Sequence, residues 1–176
     1  MGVTYGFYNS LGGDRTYDAI DISRMFDGVI SDGVFEDIDD AFNVTPSSGM
    51  IVAVGLGKAW FNHTWTINDA SLLLTHDTAD PTLNRYDIIV LEVDETSRIN
   101  SIKIVKGTPA ASPVLPTLID TASVHQYPLA NITITAGDGT ISSGDIEMVV
   151  GTVDCPFVTV PQAVNVSGVL EVEVFS

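Results

Sequence analysis

The sequence predicts a mainly β protein, an antiparallel β-sandwich or barrel-like core with a short N-terminal helix and extended terminal arms. Three observations predict it. From residue 50 onward, runs such as Met50-Ile51-Val52-Ala53-Val54 and Glu171-Val172-Glu173-Val174 are β-branched and often alternate apolar with polar, which is the period of a strand with unlike faces. Turn residues punctuate these runs at short intervals. Only the apolar positions Tyr17, Ile20, Met25, Phe26 and Val29 leave that period, and several of them fall three or four apart, as one helical face requires.

Size and charge narrow the classes. The chain has 176 residues, of which 45% are hydrophobic, and a mean hydropathy of +0.27, enough for a buried core and unlike a disordered chain. Its 23 acidic and 7 basic residues give a net charge of −16. That charge repels a phosphate backbone, so no nucleic-acid partner is expected. It also opposes self-association, so any oligomer must be held by apolar burial or local sign pairing. The opening Met-Gly-Val-Thr has neither a basic nor an apolar leader segment, and no apolar run approaches the ~18 residues of a membrane span. A soluble chain made in a cytoplasm, without membrane insertion, is the expectation. Cys155 is the single cysteine, which excludes an intrachain disulfide.

The organisation follows in three parts: a docking segment and helix over residues 1–45, a β core over 46–155 and a strand or hairpin arm over 156–176. The helix is expected over residues 18–26, with Asp14 or Thr16 as N-cap, ending near Gly28. Residues 36–42 suit a short helical or irregular turn. Strands are expected at 50–54, 71–75, 85–94 and 101–106, the last two joined as a hairpin through the polar residues 95–100. Residues 58–67 form either a strand pair or one bent strand. The centre of 85–94, Ile88-Ile89-Val90-Leu91, is continuously apolar, as a strand covered on both faces would be. Residues 107–116 contain three prolines and read as an ordered extended segment crossing the domain surface. Pro128 inside the strand 124–135 implies an edge position or a bulge. Residues 143–149 suit one or two helical turns.

Chemistry-bearing patterns are sparse. His63, His76 and His125 lack the paired spacing of a metal site, and the acidic run through Asp37, Asp39 and Asp40 lacks the alternation of a calcium loop. No metal or cofactor is expected. Nucleophile signatures are missing around Cys155, and the carboxylates Asp87 and Glu92, an odd number apart, fall on opposite strand faces, so enzyme activity is not expected. Trp60 and Trp65 are also an odd number apart and cannot share a strand face unless a turn at Asn62-His63 intervenes. Core packing is their expected role, with a saccharide platform as the alternative, because sugar faces stack on aromatic rings. His63 between them is expected to be a hydrogen-bonded strand residue.

The order of several pieces carries a resemblance: Tyr5-Gly6-Phe7-Tyr8-Asn9-Ser10, Phe26-Asp27-Gly28-Val29-Ile30, Asp32-Gly33-Val34-Phe35, Gly57-Lys58-Ala59-Trp60-Phe61, Arg85-Tyr86-Asp87-Ile88-Ile89-Val90, Lys106-Gly107-Thr108-Pro109 and Tyr127-Pro128-Leu129-Ala130. In these pieces the chain resembles the N-terminal region of tail-tip and baseplate structural proteins of phages of Gram-positive bacteria, the upper-baseplate and receptor-binding group, including clostridial prophage members. The resemblance implies a virion component at the distal tail, a homotrimer or a multiple of it, in contact with other tail proteins and in some members with a host surface glycan. It favours an anchoring or adaptor role. Tyr5, Phe7, Tyr8, Ile20, Met25 and Phe26 are the expected subunit interface; Trp60 and Trp65 are the expected contacts if a cell-wall saccharide is bound.

Overall fold

A computed structural model describes residues 8–13, 16–26 and 28–159. The order is α1 (Ala19–Ser23), a 3-10 turn (Arg24–Phe26), then β1 (Gly33–Val34), β2 (Val44–Pro46), β3 (Ile51–Val54), β4 (Gly57–Phe61), β5 (Thr64–Asn68), β6 (Leu72–Thr75), β7 (Arg85–Asp94), β8 (Ile99–Val105), β9 (Val124–Ile134), a second 3-10 turn (Ser143–Asp145) and β10 (Ile146–Met148). The protein is mainly β, as its periodicity predicts. Its strands form three antiparallel sheets with orders β1-β4-β5, β10-β9-β7-β8 and β2-β3-β6.

All three sheets contribute to one core. Val34, Ala59 and Phe61 enter it from the first sheet, Val52 and Val54 from the third, and Ile89, Leu91, Val93, Leu129 and Ile132 from the four-stranded sheet. Because β1 and β2 carry core residues, the boundary drawn at residue 45 falls inside β2, and residues 33–44 are part of the β core rather than of a separate docking segment. Cys155 is also fully buried, and burial pushes its thiol up to about 12. Native protein at pH 8 is therefore expected to resist iodoacetamide, read by mass spectrometry, and to be alkylated once urea unfolds it.

β7 is buried along nearly its whole length. Its odd-numbered residues face the core, while Ile88 on the other face lies beside Leu115, Pro116 and Leu118 of the proline-containing segment. That segment is tied down by Ala110 N–H to Asn84 O (3.0 Å), Gln126 N–H to Ile119 O (3.0 Å) and Ile119 N–H to Gln126 Oε1 (2.9 Å). It crosses the sheet's outer face. Pro128 resolves as a bulge: Ile89 pairs with Ala130 but Val90 pairs with Pro128, leaving Leu129 as the extra residue. β9 is an inner strand, and Pro128 lies beyond the stretch that β10 pairs, Ala130 to Ile132, so no ladder bond is lost on that side.

Two local expectations are corrected. The helix is one α-turn followed by a 3-10 turn, and its N-cap is Asp18, whose carboxylate accepts from Asp21 N–H (3.2 Å) while Asp21 returns the bond to Asp18 N–H (3.3 Å). A reciprocal capping box outcompetes Thr16, and Asp14 lies outside the described residues. Residues 146–148 are a strand rather than helix, because pairing with β9 satisfies their backbone.

Candidate binding cleft

β4 and β5 form a hairpin closed by Asn62 and His63, with φ of +46° and +61°. Two left-handed residues in succession make the tight turn whose twist matches a hairpin. The turn that would put the two tryptophans on one face is present: Trp60 pairs directly with Trp65. The core-packing expectation for them is overturned. Ala59 and Phe61 take the inward face, and the odd-even alternation sends both tryptophans outward, leaving Trp60 half-buried and Trp65 64% exposed. His63 is accordingly a turn residue and not a strand residue.

The hairpin is held firmly from behind. Phe61 stacks on Tyr127 with ring centroids 3.8 Å apart, and the Tyr127 hydroxyl donates to Asn62 Oδ1 (2.8 Å). Asp32 Oδ2 accepts from Asn62 N–H (3.3 Å). From β8, the Asn100 amide donates to Thr64 Oγ1 (2.9 Å) and Thr66 Oγ1 (2.8 Å). Burial pushes the Tyr127 hydroxyl up to about 12, helped by the Asp32 charge, so it stays a donor at neutral pH.

In front of the tryptophans lies a cleft of about 1070 Å³, at the upper end of the volumes of small-ligand sites. Its floor is Trp60, Trp65 and Thr64; one wall is α1 and the residues after it, including Ile22, Phe26 and Val29; the other is the β7–β8 turn with Asp94, Glu95 and Arg98. Phe26 packs on Trp60 at 5.5 Å between centroids and 59° between planes, a tilted aromatic contact. Lys58 Nζ sits 5.3 Å from the Phe35 ring centre. Bonds from the Ser97 backbone N–H and its hydroxyl hold Asp94 below the usual carboxylate range, so this wall stays anionic. The cleft offers aromatic faces with a charged rim, an arrangement suited to binding.

The expected interface residues divide. Tyr5 and Phe7 lie outside the described residues. Tyr8 is exposed, with its N–H donating to the Tyr17 hydroxyl (2.7 Å) and its carbonyl accepting from it (3.0 Å). Ile20, Met25 and Phe26 do not share a face as expected: Ala19, Ile22, Ser23 and Phe26 line the cleft, whereas Ile20 and Met25 do not and are exposed. The spacing of 19, 22, 23 and 26 is the helical one, and Trp60 captures Phe26.

A second cluster escaped the sequence reading. Asp87, on the core face of β7, accepts four hydrogen bonds: Arg85 Nε (3.0 Å) and Nη2 (3.3 Å), His76 Nδ1 (2.8 Å) and Gly107 N–H (3.0 Å). Arg85 also donates to Thr78 O (2.9 Å) and Asp77 O (2.6 Å). Burial alone would push the Asp87 carboxyl up, but the bonds from His76, Arg85 and Gly107 together outweigh it and leave it below the usual range. His76 Nε2 is buried without a partner. The cluster sits roughly 20 Å along β7 from the cleft, closed from solvent, and it locks the start of β7 to the end of β6 and to the 107 turn. The available signal was Arg85-x-Asp87, two charges on one face beside an apolar run. Among the described residues, no group of three His, Cys, Asp or Glu side chains is placed to hold a metal ion.

Compared with family models, curated proteins and solved structures, the chain matches none.

Proposed function

We propose that this protein is a structural subunit of a phage tail tip or baseplate, which assembles as a symmetric homo-oligomer and ties neighbouring tail proteins together without catalysing a reaction. One observation carries the assembly part of this reading: in the segment from Tyr8 to Val29, Tyr8, Ile20, Ile22, Met25 and Val29 are exposed and the helix buries only Ser23. Apolar side chains gathered on one thin segment of an acidic chain mark an interaction site. The tail-tip part is supported by the order of motifs from Tyr5 to Ala130. Light scattering at two concentrations and two salt levels tests it. A trimer or a multiple of it is the expected result, and Ile20→Asp with Met25→Asp is expected to return the mass to 18.7 kDa without lowering Tm. A wild-type monomer would count against autonomous assembly.

The paired outward tryptophans favour a second reading, a module that binds host cell-wall saccharide. Titration with cell-wall saccharides would then shift tryptophan emission, and Trp65→Ala would abolish the shift. No shift with any cell-wall fraction removes this reading.

A further inference from the structure

Positive charge is confined to the first part of the chain: all seven lysines and arginines lie at or before Lys106. The proline-containing segment, β9, β10 and the loop after β10 therefore hold none. The same is true of residues 160–176, where the terminal strand or hairpin is expected and which lie outside the described residues. These elements and β7 enclose a second groove of about 460 Å³, within the range of binding pockets. It shares no residue with the cleft beside the tryptophans. Its apolar lining includes Ile88 of β7, Leu115 and Leu118 of the proline-containing segment, Pro128 of β9 and Met148 of β10. Next to it, Val114 is 76% exposed, and Val153, between the lining residues Thr152 and Asp154, is 93% exposed. The loop that carries Val153 is closed on itself: Gly151 N–H donates to Cys155 O (2.8 Å) and Thr152 N–H to Val149 O (3.0 Å). Gly151 has a φ of +89°, and a Cβ there would stand 2.7 Å from the Phe157 ring. Solvent-facing valines held in place beside an apolar groove mark an interaction surface.

The charged residues that line this groove are Glu147 and Asp154, with no cation among them. Glu147 Oε2 accepts from the Asn131 amide (3.1 Å), and neither carboxylate makes an ion pair among the described residues. Gln126, also in the lining, donates to Glu92 (2.7 Å), whose charge Lys103 already balances. We propose that the groove docks a segment of a neighbouring protein that carries apolar side chains together with lysine or arginine. The aliphatic stem of such a residue would cover Leu115 and Met148 while its head reaches Glu147 or Asp154. Charge selects a different protein over a second copy. Arg24, Arg85, Lys103 and Lys106 are already paired with carboxylates of their own chain, and two copies repel through −16 each. A basic partner is instead drawn in by that field. The inference rests on the adaptor reading and deepens it, by giving one neighbour its chemistry.

Amide shifts of the full-length, nitrogen-15-labelled protein test this, with three synthetic peptides as probes: Leu-Lys-Val-Lys-Leu, its acidic counterpart Leu-Glu-Val-Glu-Leu, and Gly-Lys-Gly-Lys-Gly, which keeps the charge without the apolar side chains. The first is expected to give saturable shifts at Val114, Leu115, Met148 and Val153, and the other two none. Glu147→Lys with Asp154→Lys, both at exposed positions, should weaken the basic peptide about tenfold and let the acidic peptide bind in its place, a reversal that misfolding would not produce. Absence of saturable shifts overturns the inference. Equal shifts from Gly-Lys-Gly-Lys-Gly, or shifts spread over the acidic surface, overturn it by reducing the effect to general attraction. Shifts at the same amides on concentrating the protein alone also overturn it, by assigning the groove to a second copy. The charge-swapped variant should keep the solution mass of the wild type, so a failed titration leaves the self-assembly result standing, and a monomeric wild type leaves the titration readable.

Discussion

Asp87→Asn is expected to lower the unfolding free energy by about 3–5 kcal/mol, because it strips the anion from a buried cluster and leaves the Arg85 guanidinium without its counter-charge. Both side chains are almost fully buried, so water does not substitute for the lost partner. Backbone carbonyls of Asp77 and Thr78 continue to accept from Arg85, but they neutralise no charge. The loss also depends on pH. The folded pKa of Asp87 lies below its unfolded value of about 3.9. Its contribution is therefore complete above that value and disappears as pH falls through the folded pKa. Urea titrations at pH 7 and in the range between roughly pH 2 and 4 should show the wild type losing stability on acidification and the variant losing less. Glu92 stays in both proteins. Its carboxyl is raised by burial and lowered more by Lys103 and Gln126, so a residual acid sensitivity is expected in the variant. Equal urea midpoints for wild type and variant at pH 7 would show that the cluster does not hold the start of β7.

Phe61→Ala is expected to cost about 3–5 kcal/mol, the range for deleting a buried aromatic ring. Phe61 is 1% exposed and stacks on Tyr127, so the substitution opens a cavity between the first sheet and the four-stranded one. Phe61 precedes the Asn62-His63 turn and follows Trp60, so its loss also loosens the platform beneath the cleft. A red shift of tryptophan emission in the folded variant should accompany the drop in urea midpoint. Phe61→Leu, which keeps most of the volume, should lose less stability and leave the emission near that of the wild type. An unchanged midpoint in Phe61→Ala would contradict a core shared by the two sheets.

These two positions differ in how visible they were beforehand. Phe61 belongs to a run whose alternation announces a strand, and its inward direction follows from the same period that buries Ala59. Asp87 stands on an equally legible strand, and its odd separation from Glu92 correctly puts the two carboxylates on opposite faces of β7. What no local pattern conveyed is that His76, eleven residues away, and Gly107, twenty residues away, converge on the same carboxylate. The tryptophan pair is intermediate. The odd spacing permits either a split across one strand or a shared face across a hairpin. The left-handed backbone of Asn62 and His63 decides for the hairpin, and neither residue is a glycine that would have signalled it.

By itself the sequence determined the β class, the two-sided burial of β7, the β7–β8 hairpin, the extended course of the proline-containing segment and the presence of a helix near residue 20. Each of these depends on periodicity or on backbone chemistry within a few residues, where side-chain direction and the missing proline N–H act locally. Only the tertiary structure decided that β1 and β2 join the core, that Phe26 turns toward Trp60 while Ile20 and Met25 stay outward, and that a cleft forms between the helix and the β7–β8 turn. Those outcomes depend on which surfaces meet after long loops close. That choice is made by burial summed over distant residues, a quantity that no short window of sequence contains.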